Sequence, residues 1–253
     1  MTALDQYFEK HFKTSTELLN GRSVQDGYIR SVGLQFGELQ TLIGKDPLFR
    51  DACAVAHGRT IISGENRMNL YLLIKYFLPR LQTGHIIEFG AYKGGNSIFM
   101  AYVAKALNLD ITIYCLDTFT GMPKTDPSID LHTEGDFNDV DFDELKNYAH
   151  NTLGLTNISF VQGLFSDTAE SVVSEAGSFS LVHIDCDIAS GVEESYEAVK
   201  NNMVEGGYIA FDDALFSSCL GATVIIEDIL IRRDGLNSEQ IYPHYVFRNF
   251  DKV

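Results

Sequence analysis

Three aspartates at the ends of two apolar segments are well placed to do chemistry. Asp185 follows Phe179 to Ile184, and Asp212 and Asp213 follow Gly207 to Phe211. Each apolar segment has the length of a buried strand, so the carboxylates are predicted at one edge of a parallel sheet. An all-oxygen ligand set suits a hard cation such as Mg²⁺. The alternative is that these carboxylates cap the following helices or face water, and the pattern alone leaves both possibilities open.

A glycine-rich turn, Gly90-Ala91-Tyr92-Lys93-Gly94-Gly95, follows the apolar segment His85 to Phe89 and precedes a helical pattern. Such a turn presents backbone N–H groups to the anionic end of a ligand, although it also occurs as a connection that binds nothing. Asp117 ends the next predicted strand, from which a carboxylate can accept hydrogen bonds from both hydroxyls of a ribose. The turn and Asp117 together favour a nucleoside cofactor.

Tyr92 distinguishes between the nucleoside cofactors. In the dinucleotide fingerprint a glycine stands here so that the backbone can approach a pyrophosphate, and a bulky side chain therefore argues against NAD. S-adenosylmethionine has no phosphate, and its positively charged sulfonium suits a rim that contains Glu88, Asp117 and Asp185. We therefore expect S-adenosylmethionine as the cofactor.

The elements that must position these residues alternate between strand and helix patterns. Predicted strands cover 85–89, 111–116, 158–161, 179–184 and 207–211, and predicted helices cover 66–80, 96–107, 143–153, 166–176, 193–204 and 222–231. This alternation indicates an α/β fold, a Rossmann-like parallel sheet with helices on both faces. We expect a C-terminal edge hairpin from 240–242 and 245–250. Residues 1–65 are predicted to form an N-terminal helical or lid appendage, and residues 66–253 a single compact core.

Composition and charge exclude several functional classes. The chain has 253 residues, of which 45% are hydrophobic, and a net charge of −16. Such a surface repels nucleic acid and anionic lipid, and no apolar run approaches the ~20 residues of a transmembrane helix. The four cysteines lack metal-type spacing, and the N-terminus has no pattern of a secretory signal. We therefore expect a cytoplasmic protein with reduced thiols that binds neither nucleic acid nor a membrane.

Five motifs resemble the macrocin O-methyltransferase family of class I S-adenosylmethionine-dependent methyltransferases. In chain order they are Glu88-Phe89-Gly90-Ala91-Tyr92-Lys93-Gly94-Gly95, Asp117-Thr118-Phe119-Thr120-Gly121-Met122-Pro123, Gly163-Leu164-Phe165-Ser166-Asp167-Thr168, Ile184-Asp185-Cys186-Asp187, and Gly206-Gly207-Tyr208-Ile209-Ala210-Phe211-Asp212-Asp213. The likeness spans roughly residues 59–215. It implies a class I methyltransferase sheet and methyl transfer from S-adenosylmethionine to a hydroxyl, often on a sugar of a natural product, with the help of Mg²⁺.

The resemblance also implies the cofactor-binding residues. Gly90, Tyr92 and Gly94 would shape the pocket for the methionine part, and Asp117 would hold the ribose. The other expected cofactor-binding residues, near the adenine or beside these motifs, are Glu88, Ser97, Thr118, Phe119, Gly163, Phe165 and Ser166.

Two further segments bear on the resemblance. An N-terminal segment covers the cofactor in this family, and Thr60 and Ile61 stand where it is expected. The sequence departs from the family pattern at Asp187-Ile188-Ala189-Ser190-Gly191. The resemblance therefore does not predict the wall of the pocket that this segment forms.

With the metal that the resemblance implies, Asp185, Asp212 and Asp213 are the predicted ligands. A sugar hydroxyl is a poor nucleophile because it holds its proton at neutral pH, and a metal ion lowers the pKa of an oxygen that binds it. Asp185 is the predicted general base, and two substrate oxygens are expected to coordinate the ion. Methyl transfer is an in-line displacement, so much of the remaining catalysis should be positioning.

Three other polar residues could take part in the site. His183 lies within a predicted strand, where a hydrogen-bonded core histidine is favoured over a catalytic base. His132 and Glu134 lie in the long loop from Asp126 to Asp139 and are second-choice substrate contacts. The equal alternative for that loop is a solvated acidic segment.

Other functions remain open. A metal-dependent phosphatase would use Asp185-Cys186-Asp187 as its nucleophile motif, but only 66 residues follow Asp187 and the glycine turn would have no role. A non-catalytic module that binds S-adenosylmethionine and a nicotinamide oxidoreductase are two further candidate functions. The hydroxylated small-molecule acceptor is not encoded in any motif. Relatives of this kind form dimers or larger assemblies, so we expect a homo-oligomer.

Overall fold

The computed structural model describes residues 18–19, 22–23, 42–240 and 245–249. The chain divides into two compact units, Met1–Arg50 and Asp51–Val253. In the first unit, the strands Leu18–Leu19 and Arg22–Ser23 pair antiparallel. Most of the predicted appendage over residues 1–65 lies outside the described residues, so its role as a lid stays a prediction.

A seven-stranded sheet forms the centre of the second unit. Its strands are β1 (His85–Phe89), β2 (Ile113–Asp117), β3 (Ile158–Gln162), β4 (Phe179–Ile184), β5 (Met203–Phe211), β6 (Ser238–Gln240) and β7 (Tyr245–Arg248). The strand order is 3-2-1-4-5-7-6, and among the described strands of this sheet β7 alone runs opposite to the other six. The predicted Rossmann-like class is confirmed, including the hairpin at the sheet edge, whose residues 241–244 lie outside the described part.

Helices follow the strands as the alternation predicts. They are α1 (Pro47–Val55), α2 (Gly64–Leu72), α3 (Gly95–Ala106), α4 (Phe142–Asn147), α5 (Phe165–Ala176), α6 (Ala189–Val199) and α7 (Leu220–Ile225). Segments of π-helix prolong α2 over Leu73–Phe77, α4 over Tyr148–Thr152 and α7 over Ile226–Arg233. Each helix of the described part is too short or too polar to cross a bilayer.

The end of one predicted helix is wrong. The helical pattern over 193–204 gives way to a turn after Val199, and β5 begins at Met203. Met203 pairs with Phe179 of β4, so this stretch gains the hydrogen bonds of the sheet ladder. Sheet pairing therefore overrides the local periodicity at this point, as tertiary context commonly does.

The central strands bring the polar residues of the rim together. All six residues of β4 are buried, because helices cover the sheet and strands flank β4 on both sides. Four of its six residues are apolar, and Ser180 and His183 interrupt the run. A strand that is buried on both faces is mostly apolar, which is why its bounds agree with the prediction. The residues that follow β1, β2, β4 and β5 then emerge at one edge of the sheet.

Gly90 allows the ends of β1 and β4 to approach each other closely. Its φ is +85°, and a Cβ placed on it would lie 1.8 Å from the backbone oxygen of Asp185. The strand ends are joined by a hydrogen bond of 2.9 Å from the Asp185 N–H to the Phe89 carbonyl. A side chain at this position would force the two strand ends apart.

We expect Gly90→Ala to destabilise the protein more than a glycine substitution that carries backbone strain alone. Gly177 has a φ of +79° and no atom within 4 Å of an added Cβ, so Gly177→Ala is the matched control. The control should lower the free energy of unfolding by about 1–2 kcal/mol. Gly90→Ala should lower it by a further ~2 kcal/mol, because the backbone of Asp185 must move. Denaturant unfolding measures both, and equal effects would contradict the close-approach argument.

Candidate active site

A cavity of about 350 Å³ opens at the carboxyl edge of the sheet. Seven of the predicted site residues line it: Gly90, Tyr92, Asp117, Thr118, Phe165, Ser166 and Asp185. Its other walls come from the loop after β2, which supplies Met122 and Phe137, and from α6, which supplies Glu194. The cavity therefore lies where ligands bind in open α/β sheets.

Asp117 holds two turns of the cavity in place. Its Oδ2 accepts a hydrogen bond of 2.9 Å from the Tyr92 N–H, and its Oδ1 accepts one of 2.6 Å from the Phe119 N–H. Tyr92 and Phe119 both have left-handed backbones, with φ of 49° and 53°, which side-chain-bearing residues seldom adopt. Burial raises the pKa of Asp117 despite these hydrogen bonds. A carboxylate offers about four acceptor positions. The Thr118 hydroxyl donates a third hydrogen bond, of 3.3 Å, to Asp117 Oδ1, so at most about one position is left for a ligand hydroxyl.

Tyr92 links the glycine turn to the loop after β2. Its hydroxyl donates a hydrogen bond of 2.6 Å to Asp139 Oδ1, and its ring contacts that of Phe137 edge-on at 5.3 Å. Tyr92, the residue that argues against a dinucleotide cofactor in the sequence, thus forms a side wall of the cavity. Its side chain occupies space at the turn that a pyrophosphate would need to approach the backbone.

The three predicted metal ligands lie together. Single carboxylate oxygens of Asp185, Asp212 and Asp213 are all within 4.8 Å of one another. Burial raises the pKa of Asp185 well above its usual range, and the neighbouring Asp212 and Asp213 carboxylates raise it further. Like charges this close cannot all be ionised unless a cation compensates them. The donor set is all oxygen, which fits a hard divalent ion.

Glu88 and Ser97, both predicted to bind the cofactor, lie beneath the cavity and are fully buried. Glu88 Oε1 accepts a hydrogen bond of 2.6 Å from Asn96 Nδ2, and its Oε2 accepts one from the Ser97 hydroxyl. His183 Nδ1 lies 3.0 Å from Glu88 Oε1. Both carboxylate oxygens of Glu88 are thus hydrogen-bonded within the protein, where they stabilise the buried end of β1.

The same buried group reaches the metal-binding candidates through Asp212. His183 Nε2 lies 3.6 Å from Asp212 Oδ1, which also accepts a hydrogen bond of 2.6 Å from Asn66 Nδ2. Burial acts to lower the pKa of His183, but the Asp212 and Glu88 carboxylates outweigh it and raise the pKa to about 9. His183 is therefore a charged core residue between two carboxylates, in agreement with its interpretation as a core histidine.

The remaining predicted residues are placed apart from the cavity wall. Ile61 is 72% exposed, and the Thr60 hydroxyl accepts a hydrogen bond from the Ile62 N–H. Gly94 caps the start of α3 with a φ of 69°, and Gly163 follows β3 with a φ of 151°. Contact with a cofactor stays a prediction for each of these four residues.

The two loop candidates differ. Glu134 is exposed, whereas the His132 ring lies 3.5 Å from Asp187 Oδ1 and 3.4 Å from Asp136 Oδ2. His132 is therefore held at the edge of the acidic cluster, and Glu134 is not.

Asn66 and Asn96 are functional candidates that the sequence motifs did not reveal. Each is 2% exposed and donates a hydrogen bond to a buried carboxylate. A polar residue at a core-facing position of a helix was the available signal, but its partner is distant in sequence. Asn66 lies 146 positions from Asp212.

Residues 45–228 match the protein family described as macrocin O-methyltransferase (TylF). A 4'-O-methyltransferase of 8-demethyl-8-(2,3-dimethoxy-alpha-L-rhamnosyl)-tetracenomycin C from Streptomyces olivaceus is 26% identical over 184 residues, which cover 69% of each chain. The mycinamicin III 3''-O-methyltransferase of Micromonospora griseorubida is 24% identical over 75% of this chain and 76% of its own.

A solved structure shares the fold. The O-methyltransferase NovP superposes with a TM-score of 0.63 at 19% identity, covering 76% of this chain and 82% of its own. The family match spans both the glycine turn and the acidic cluster. It favours methyl transfer over phosphatase or nicotinamide chemistry.

We expect Glu88→Gln to lower the free energy of unfolding by about 3 kcal/mol, because it breaks a fully buried ionic group. The amide NH₂ of glutamine would face donors on Asn96 or Ser97, and His183 would lose a charged partner. Denaturant unfolding measures the effect. The matched control is Glu144→Gln, whose side chain is 49% exposed and pairs with Arg59 on the surface. That change should cost less than about 1 kcal/mol. Similar losses in both variants would refute the role of the buried group.

Proposed function

Because the chain belongs to the macrocin O-methyltransferase (TylF) family, we propose that it transfers the methyl group of S-adenosylmethionine to a sugar hydroxyl of a natural product, with a divalent cation. The observation that carries the proposal is the position of Asp185, which belongs both to the cavity wall and to the carboxylate cluster. A base and a cation site thus adjoin the same cavity. The acceptor class is inferred from relatives whose names specify sugar-bearing natural products.

The cavity fits S-adenosylmethionine in its polar groups. Asp117 lies on the wall, where its carboxylate would accept a hydrogen bond from a ribose hydroxyl, and Phe165 and Ser166 line the side beyond β3. Acidic residues dominate the rim, which suits a cofactor that carries a sulfonium rather than phosphates. Bound there, S-adenosylmethionine supplies a methyl carbon on a positively charged sulfur, which departs with the electron pair as S-adenosylhomocysteine.

The acidic cluster fits a divalent cation such as Mg²⁺. Asp185, Asp212 and Asp213 would supply its ligands, and Mg²⁺ lowers the pKa of a hydroxyl that binds it. Asn66 and His183 orient Asp212 and keep its side chain from turning away from Asp185. Asp213 is held by the Asp187 N–H, which donates a hydrogen bond of 2.8 Å to its Oδ2. Such partners fix ligand geometry before a metal arrives.

Asp185 performs the proton transfer in this proposal. Its carboxylate accepts the proton of the acceptor hydroxyl at the cavity wall, which leaves the acceptor oxygen to attack the methyl carbon. Burial and its acidic neighbours raise the pKa of Asp185 when no cation is bound, whereas a bound cation would hold the carboxylate in the ionised form that a base needs. The rest of the acceleration comes from alignment of acceptor and cofactor, which the rigid strand ends provide.

Asp117→Asn should weaken S-adenosylhomocysteine binding by about 10–100-fold. The amide retains only one acceptor oxygen, so either the Tyr92 or the Phe119 N–H loses its partner and the turn relaxes. Isothermal titration measures the affinity. Asp143→Asn is the matched control because the Asp143 side chain is 93% exposed, and it should bind as the wild type does. Unchanged affinity in Asp117→Asn would remove this residue from the cofactor site.

Asp185→Asn should lower the turnover number by about 10²–10⁴-fold and leave S-adenosylhomocysteine affinity nearly unchanged. The assay follows S-adenosylhomocysteine release with sugar-bearing acceptors such as mycinamicin III, with Asp143→Asn as the control. Wild-type turnover should fall on chelation and return with Mg²⁺. If the Asp185→Asn variant turned over at the wild-type rate, Asp185 would not be the base. If chelation left the turnover of the wild type unchanged, the requirement for a cation would be refuted. If the wild type bound no S-adenosylhomocysteine, the proposed function would be refuted.

A further inference from the structure

His132, Asp187 and Cys219 meet beside the acidic cluster although they come from three separate segments. His132 lies in the loop after β2, Asp187 follows β4, and Cys219 ends a short 3₁₀ turn after β5. His132 Nε2 is 3.5 Å from Asp187 Oδ1 and 3.9 Å from Cys219 Sγ, and Cys219 Sγ is 3.3 Å from Asp187 Oδ1. One nitrogen, one oxygen and one sulfur thus form a nearly equilateral triangle.

The size of this triangle matches one face of a tetrahedral metal site. Zinc binds nitrogen, oxygen and sulfur at about 2.0–2.3 Å, which places neighbouring ligand atoms about 3.3–3.6 Å apart. Two of the three separations fall in this range, and the nitrogen–sulfur distance is a few tenths of an ångström longer. A small cation would complete the face with little movement of the side chains.

The partners of these three residues are those of a supported site. His132 Nδ1 lies 3.4 Å from Asp136 Oδ2, so a carboxylate stands behind the ring while Nε2 faces the triangle. Metal-binding histidines characteristically have such a carboxylate on their second nitrogen. Asp187 has a left-handed backbone, with φ of 62°, and its N–H is fixed by Asp213. The Asp187 side chain is thereby held toward the other two.

We propose that His132, Asp187 and Cys219 bind a zinc-class transition metal ion, at a site that adjoins the all-oxygen group of Asp185, Asp212 and Asp213 but shares no ligand with it. Cys219 Sγ lies 3.7 Å from Asp213 Oδ1. A thiolate and an imidazole favour zinc over Mg²⁺, which prefers oxygen ligands. Cys219 is 2% exposed, whereas the His132 and Asp187 side chains are 19% and 22% exposed. The ion therefore enters from the side of His132 and Asp187, where water supplies the fourth ligand.

Binding exchanges a proton for the metal. Without the metal, the Cys219 thiol donates a hydrogen bond to Asp187 Oδ1. When sulfur and Asp187 bind the ion, the thiol proton leaves to solvent and no electron changes hands. The metal then replaces a weak thiol hydrogen bond with three coordinate bonds.

The consequence is a fixed cavity wall. The ion ties the loop after β2 to the ends of β4 and β5, and the His132 ring packs 5.6 Å from that of Phe137, which lines the cavity. The site therefore has a positioning role for the loop beside the acceptor. Its presence is testable without acceptor or cofactor, so it stands or falls independently of the proposed function.

Cobalt titration tests the site directly. Untagged, reduced full-length protein is titrated with Co²⁺ in excess Mg²⁺, which keeps the all-oxygen group filled. We expect one equivalent of Co²⁺ to produce a thiolate-to-cobalt charge-transfer band, and Zn²⁺ to displace it. Cys219→Ser should abolish the band. Cys53→Ser is the matched control, since Cys53 lies in α1, and it should retain the band.

A second variant keeps the test decisive if Cys219→Ser fails to fold. Asp136→Asn leaves all three ligands in place and should weaken cobalt affinity by about 10–100-fold through the His132 ring. A wild type without the charge-transfer band overturns the proposal. So does a band that survives in a folded Cys219→Ser variant, or a cobalt affinity that is unchanged in Asp136→Asn.

Discussion

Repulsion among the buried and partly buried carboxylates at the ends of β4 and β5 is the constraint on which the rest of this site depends. Asp185, Asp187, Asp212 and Asp213 come within a few positions of two adjacent strand ends, where burial and mutual repulsion raise the pKa of Asp185 and of Asp213. Such a group folds only if other residues compensate it. The surrounding structure can be understood as that compensation.

Each carboxylate has a different partner, and the partners determine the division of roles. Asp212 is held by Asn66 and by the charged His183, while Asp213 is bound by the Asp187 N–H. Asp185 faces the cavity, where a substrate can reach it. Asp212 and Asp213 are thus held by partners within the protein, whereas Asp185, which is proposed to exchange a proton, is open to the cavity.

Conformational strain is concentrated around the same cavity. Left-handed backbones at Tyr92, Phe119 and Asp187 occur two or three positions after the ends of β1, β2 and β4. Asp117 holds the first two through backbone hydrogen bonds, and Asp213 holds the third. Strain of this kind persists only where the neighbouring structure fixes it, and it keeps the binding loops in one arrangement. The hydrogen bonds that maintain it are made by acidic residues of the rim itself.

The sequence by itself determined the fold class, the order of strands and helices and the edge where the polar residues gather, because these depend on local apolar periodicity and on turns such as Gly90. It also predicted that Asp185, Asp212 and Asp213 meet at this edge, since they stand within two positions of the ends of recognisable strands; their role as metal ligands stays a prediction. Only the tertiary structure decided that Glu88 turns to His183 on the neighbouring strand, with which it is in register, rather than to the cavity. It likewise brought His132 to Cys219 across 87 positions, although the cysteines show no metal-type spacing. Strand register and loop placement result from packing between distant segments, and no local pattern records them.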